Sequence, residues 1–144
     1  MSHALLPIRV GGVWMAIDAL QAREILGRRP HVALPGASAG LPGVIAWQGR
    51  AVAVVDLGAL TGVCSPLQES RERTVVIQHG PVTFAVPVDA VREVQVASDE
   101  QVRPAHATRQ RFATTEVELD RTPVSVLDLS AVVEAIRGGA AEVP

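Results

Sequence analysis

Residues 41–57 read Leu41-Pro42-Gly43-Val44-Ile45-Ala46-Trp47-Gln48-Gly49-Arg50-Ala51-Val52-Ala53-Val54-Val55-Asp56-Leu57. Two short apolar runs flank Gln48-Gly49-Arg50, a polar break holding the glycine that a tight reversal favours. The stretch therefore predicts a hairpin, Val44 to Trp47 and Ala51 to Val55, with Ile45 and Trp47 sharing a face by strand alternation. Gly43 and Gly49 serve backbone geometry at the start of the hairpin and at its turn. Asp56 follows the second run, where its carboxylate can cap the first N–H groups of a helical turn through Leu60, closed by Gly62.

The same plan recurs downstream. Val124-Ser125-Val126-Leu127-Asp128-Leu129 repeats Val52 to Leu57 at an offset of 72. Val13-Trp14-Met15-Ala16-Ile17 aligns with Val82-Thr83-Phe84-Ala85-Val86. Each of these runs leads into an Asp (Asp18, Asp89) and an Arg-Glu-apolar step, Arg23-Glu24-Ile25 and Arg92-Glu93-Val94. Two matches in the same order at nearly one offset point to an internal duplication. Each half reads as hairpin, small helix, loop, hairpin, Asp-Leu helix. Four or five short strands close a small barrel but give it a thin core, and two barrels sharing apolar faces bury more. The expectation is one mainly-β domain over 1–144, built of two barrel lobes with short helices.

Other elements follow from local signals. Gly11-Gly12 joins strands Ile8 to Val10 and Val13 to Ile17. Asp18 predicts a helix over Ala19 to Leu26, ended by Gly27. Residues 28–43 are broken by Pro and Gly, and 63–73 form a polar connector. Strands Thr74 to Gln78 and Val82 to Val88 turn at His79-Gly80-Pro81, with a helical turn expected at Asp89 to Val91. Residues 97–111 read as a loop. A hairpin, Val117 to Leu119 and Val124 to Leu127, precedes a helix from Ser130 to Arg137, stopped by Gly138-Gly139.

Composition narrows the function. Apolar residues make up 48% of the 144 and charged residues 19%, which argues against disorder. The net charge is −2, with no Lys and thirteen Arg scattered among the acids. With only four aromatics, Trp14, Trp47, Phe84 and Phe112, the chain lacks the basic, stacking face of a nucleic-acid binder. The N-terminus does not read as a signal peptide, so no secretion is expected, and no run approaches the roughly 18 apolar residues of a membrane span. One cysteine, Cys64, allows no internal disulfide, which fits a cytoplasmic protein.

Chemistry-bearing constellations are sparse. Asp56 and Asp128 each follow a strand and precede a helical turn, which makes them structural caps rather than paired catalytic acids. Arg23-Glu24 and Arg92-Glu93 read as solvated helix faces. The best case for an enzyme is Cys64 with His31, His79 or His106 as base, but no motif surrounds Cys64. The histidines lack metal-ligand spacing, and there is no phosphate-binding glycine loop. No metal and no cofactor is expected. Trp47 reads either as core or as an exposed interface anchor.

The ordered set of motifs resembles the CheW-like domain family. Gly43 to Leu57 resembles its Gly-Val-Ile-Asn-Leu-Arg-Gly hairpin and the Asp-Leu that follows. Val13 to Leu26, Asp89 to Val94 and Val124 to Leu129 resemble its other segments. The resemblance implies two SH3-like five-stranded barrels with no active site. It implies a chemotaxis signal-transduction adaptor, associated with receptor arrays, that couples a methyl-accepting chemoreceptor's cytoplasmic tip to a CheA-type histidine kinase. The kinase would be bound through its own CheW-like regulatory domain, without nucleic acid or membrane insertion. The expected protein-binding strip is Val44, Ala46, Trp47, Gln48, Gly49, Arg50, Val52 and Val54, together with the groove between lobes. Three positions depart from the family pattern: Ala46 stands for Asn, Gln48 for Arg and Ala53 for Pro. Loss of the Arg removes a fixed charge and a rigid donor fork, which Arg50 could supply from the opposite strand. An accessory member that binds only receptor or only kinase is the alternative.

Overall fold

Tight turns between β-branched runs set up the chain's strand pairs. A computed structural model describes residues 2–62, 71–105 and 112–137, apart from the side chain of Thr114. The first hairpin, β1 (Ser2–Val10) and β2 (Val13–Asp18), reverses at Gly11-Gly12, both at positive φ. A 3₁₀ turn at Ala19–Gln21 leads into β3 (Ala22–Gly27). The hairpin β4 (Gly43–Trp47) and β5 (Arg50–Val54) feeds helix α1 (Leu57–Thr61). The second half supplies β6 (Arg73–His79), β7 (Val82–Val88), β8 (Ala90–Val91), β9 (Gln95–Ser98), a 3₁₀ turn at Asp99–Gln101 and β10 (Val102–Pro104). It ends with β11 (Ala113–Leu119), β12 (Thr122–Leu127) and helix α2 (Leu129–Arg137).

These strands form two sheets. One has five strands in the order β3-β6-β7-β5-β4; the other has seven, in the order β10-β11-β12-β2-β1-β8, with β9 also on β1. The order carries the duplication. Replacing each half's strands by their repeat partners turns β6-β7-β5-β4 into β1-β2-β12-β11. Both parallel contacts obey it: Phe84 pairs with Ala53 and Ala85 with Val54, while Met15 pairs with Ser125 and Ala16 with Val126. The halves are therefore not the lobes. Each half contributes its first hairpin to the lobe otherwise built by the other half.

Strand alternation explains why this exchange is stable. In β1 and β2, Leu5 and Ala16 face the interior of the seven-stranded lobe with Ala97, Val117, Leu119 and Val124. Their neighbours Leu6, Ile8, Met15 and Ile17 face the other way. In β6 and β7, Val76 and Ala85 face the five-stranded interior with Leu26, Ile45, Trp47, Val52 and Val54. Val75, Ile77, Phe84 and Val86 face outward and meet the first hairpin in one shared cluster. Leu57 and Leu129, repeat partners 72 residues apart, drop into the same cluster. Asp56 caps α1 by accepting from Ala59 N at 3.3 Å, and Asp128 accepts from Ser130 N at 3.0 Å.

A buried ion cluster crosses the junction. Arg71, 5% exposed, places Nε 3.1 Å from Asp89 and Nη1 3.8 Å from the fully buried Asp56. It also donates to Pro87 O at 3.3 Å. The second Asp89 oxygen accepts from Gly12 N at 3.0 Å, which fixes the turn of the first hairpin.

Three local expectations differ from the structure. The predicted helix over Ala19 to Leu26 is a single 3₁₀ turn followed by strand β3. Asp18 caps that turn through Leu20 N at 3.0 Å, but pairing with β6 then overrides the good helix propensity of Ala22, Arg23, Glu24 and Leu26. The predicted helical turn at Asp89 to Val91 is strand β8, drawn against β1. Within the expected loop 97–111, β9 pairs with the first residues of β1 and β10 pairs with β11. Residues 106–111 and Gly138-Gly139 lie outside the described residues.

Phe84 is fully buried in the shared cluster. Phe84→Ala should cost about 3–5 kcal/mol. Because the cluster belongs to both lobes, the variant and the parent are each expected to unfold in one transition, read by circular dichroism in urea. Arg71→Met should cost about 3–5 kcal/mol in the same assay, since it removes the cation 3.1 Å from Asp89 and 3.8 Å from the buried Asp56.

Candidate functional site

The β4–β5 hairpin begins where the chain crosses itself. Val32 exchanges backbone hydrogen bonds with Val44 at 2.8 and 3.0 Å, and a Cβ on Gly43 would lie 2.1 Å from Val32 O. Only glycine fits that crossing. Gln48 and Gly49 both adopt positive φ, 48° and 78°, the geometry of a two-residue hairpin turn matched to strand twist.

Alternation splits the expected binding strip. Ala46, Gln48, Gly49 and Arg50 face solvent, and Val44 is half-buried. Val52 and Val54, each 1% exposed, and Trp47, 6% exposed, line the lobe interior. Trp47 is thus a core residue with one polar atom at the rim. Its Nε1 donates to Glu24 Oε1 at 2.9 Å, joining the two edge strands β4 and β3. Arg50 lies across the Trp47 ring, 5.7 Å from its centroid, and donates from Nη2 to Thr83 Oγ1 at 3.3 Å. Arg23 donates to Gln78. Arg23 and Glu24, read from sequence as a helix face, instead help to seal the end of this lobe.

A second surface lies beside β3. Leu6, Ala19, Ala22, Ile25 and Val94 line an apolar groove flanked by Arg23 and Glu24. Ile25 and Val94 are 47% and 52% exposed, and Leu20 is 84% exposed. Sequence reasoning named a groove between lobes but not these residues, because it read β3 as helix. The available signal was the run Glu24-Ile25-Leu26, too short to choose between the two periods.

The corresponding end of the seven-stranded lobe is more open. Leu119 occupies the place that Trp47 holds in the repeat, and a small pocket forms beside it with Pro7, Trp14, Arg92, Gln95 and Asp120. Arg92 stacks 4.4 Å from the Trp14 centroid and pairs with Asp120 at 3.5 Å.

Charge is divided between the lobes. The described part of the five-stranded lobe exposes Arg23, Arg28, Arg29, Arg50 and Arg73 against Glu24 and Glu72. In the described part of the seven-stranded lobe, carboxylates outnumber arginines. The near-neutral total hides this separation.

Catalytic groups do not converge among the described residues. His79 is held by Gln21 Oε1 at 2.6 Å and Ser130 Oγ at 3.1 Å, bridging the 3₁₀ turn after β2 to α2. His31 sits against the backbone crossing at Gly43. Cys64 and His106 lie outside the described residues. Among the described residues no cluster of His, Cys, Asp or Glu could hold a metal ion, and no helix is long and apolar enough to cross a membrane.

Two interlocked β lobes with an apolar groove between them, and no converging catalytic groups among the described residues, define the class of fold. The CheW-like domain model matches residues 4–137. The chain is 26% identical over 132 residues to the probable chemotaxis protein CheW of Rhizobium etli, covering 89% of this chain and 85% of that protein. Identity and coverage are the same for the chemotaxis protein CheW of Rhizobium meliloti. The crystal structure of the scaffolding protein TtCheW from Thermoanaerobacter tengcongensis has the same fold, with a TM-score of 0.78 at 16% identity over 89% of this chain and 90% of that one. The chain therefore belongs to the CheW-like domain family, and its biochemical class is that of a chemotaxis coupling adaptor.

Trp47→Phe keeps a six-membered aromatic ring but removes the indole N–H and the volume of the second ring. It should destabilise the protein by about 1–3 kcal/mol, from the lost hydrogen bond to Glu24 and lost packing together, measured by urea unfolding.

Proposed function

We propose that this chain joins a methyl-accepting chemoreceptor's cytoplasmic tip to the CheW-like regulatory domain of a CheA-type histidine kinase, in the cytoplasm and without catalysing a reaction. The observation that carries this reading is the pairing of two unlike exposed surfaces on lobes that share one core. The groove of Leu6, Ala19, Ala22, Ile25 and Val94 is apolar and suits the hydrophobic face of an amphipathic helix. The hairpin end with Ala46, Gln48, Gly49 and Arg50 is polar and suits the rim of a folded domain. An adaptor works by geometry. A partner seated on one surface is held at a fixed angle to a partner on the other, so a shift in one biases the other. Such contacts are small and of modest affinity.

Gln48, exposed where the family pattern carries Arg, favours a second reading, an accessory member that binds one partner only.

Titration of the full chain against the kinase's CheW-like domain and, separately, against a receptor-tip fragment from the same genome tests both readings. Binding to both fragments is expected. Binding to one alone would select the accessory reading, and binding to neither would end the adaptor proposal. Cys64→Ala should leave both affinities unchanged; a thiol enzyme would lose its turnover instead.

A further inference from the structure

One wall of the apolar groove is a weak element that is held from outside. Ala19 and Ala22 reach the groove from the 3₁₀ turn Ala19–Gln21 and the residue that ends it. A single 3₁₀ turn makes few hydrogen bonds of its own, and Leu20 at its centre is 84% exposed. Where the turn runs into β3, the ladder with β6 is bulged between Ala22 and Glu24, so the sheet register does not carry through to the turn. The side chain of Gln21 reaches across instead, to His79 at the end of β6.

The direction of each hydrogen bond in this linkage follows from its far end. The Asp18 carboxylate accepts from Gln21 Nε2 at 2.9 Å, a contact that only the NH₂ of the amide can make. Gln21 Oε1 therefore faces His79 and accepts from its Nδ1–H at 2.6 Å. With the proton on Nδ1, Nε2 of the neutral ring accepts from the Ser130 hydroxyl, 3.1 Å away on the first turn of α2. Donation runs one way, from Ser130 through His79 and Gln21 to Asp18, and hydrogen bonds in such a chain strengthen one another.

The duplication shows what this linkage replaces. Val10-Gly11-Gly12-Val13 matches His79-Gly80-Pro81-Val82, so His79 stands where the other half has the fully buried Val10. Ser130 stands where the other half has Gly58. At the symmetric place, the segment after β7 is strand β8, which pairs directly with β1. The segment after β2 is a 3₁₀ turn rather than a strand, and a side-chain tie takes the place of that pairing.

We propose that His79 is a positioning residue of the apolar groove: through Gln21 it holds the 3₁₀ turn at the place from which Ala19 and Ala22 meet a partner helix. The inference rests on the adaptor reading, in which the receptor tip supplies that helix, and adds to it the group that pre-forms the seat. A wall fixed before binding leaves less freedom to be lost on binding, so the hold on the turn is read as affinity.

Three variants of the full chain separate the two bonds of the imidazole. His79→Ala removes both. His79→Asn sets an amide N–H near the place of Nδ1 and keeps the bond to Gln21. His79→Gln reaches the place of Nε2 and keeps only Ser130. In isothermal titration against the receptor-tip fragment, His79→Ala and His79→Gln are expected to raise Kd about tenfold, and His79→Asn to stay near the parent. Affinity for the kinase's CheW-like domain should not change. Amide hydrogen exchange of the free protein should quicken over Ala19–Arg23 in His79→Ala and His79→Gln but not in His79→Asn. Parent-like exchange and receptor-tip affinity in His79→Ala would overturn the proposal. So would an equal loss in all three variants, or an equal loss for both partners, since either is the mark of a general structural role. A parent chain that binds neither fragment overturns the adaptor reading and the partner named here, and exchange in the free protein then decides by itself whether His79 holds the turn.

Discussion

The apolar cluster between the lobes is the constraint on which the rest depends. It is made from the outward faces of two hairpins, Leu6, Ile8, Met15 and Ile17 on one and Val75, Ile77, Phe84 and Val86 on the other. Each hairpin also supplies the opposite face to the interior of its own sheet. Along the middle of these strands alternate residues are thus buried in one core and their neighbours in another, as with Leu5 and Leu6 or Val75 and Val76. A one-residue slip would exchange the two sets, so the register is specified from both sides. Full burial of a large apolar side chain contributes about 1.5–3 kcal/mol, and the shared cluster provides what neither thin lobe supplies alone.

Polar groups at the junction act on the same geometry. Arg71 joins the N-cap of α1 at Asp56 to the end of β7 at Asp89, and Asp89 reaches the turn of the first hairpin at Gly12. Buried charges of this kind add little net stability over an apolar substitute, but losing one member strands the others. Their effect is to fix which turn meets which helix end. His79 makes a second such link, between the 3₁₀ turn after β2 and α2.

The same pseudo-symmetry shows where the lobes have diverged. Trp47 closes the end of one lobe and carries Arg50 on its outer face, whereas its repeat partner Leu119 leaves a small pocket lined by Trp14 and Arg92. One lobe exposes an excess of arginine and the other an excess of carboxylate. An asymmetry of this kind lets the two ends of a near-symmetric body favour surfaces of opposite charge.

The sequence by itself determined the elements whose signals are local. The Gln48-Gly49 turn, the Asp56 and Asp128 caps, the shared face of Ile45 and Trp47, and the duplication itself were all legible in residue spacing, whereas the burial of Trp47, Val52 and Val54, expected in the binding strip, was not. So was the family, from its ordered motifs. Tertiary structure decided the rest. Whether Ala22 to Gly27 is helix or strand depends on the edge of β6 beside it, and the short strands β8 and β9 exist only because β1 offers backbone partners. The repeat gave equal local signals to both halves, so nothing local said which hairpin joins which lobe. That choice rests on the parallel pairings of β5 with β7 and of β12 with β2, between residues 31 and 110 positions apart in the chain such as Ala53 with Phe84 and Met15 with Ser125, and so only the folded chain contains it.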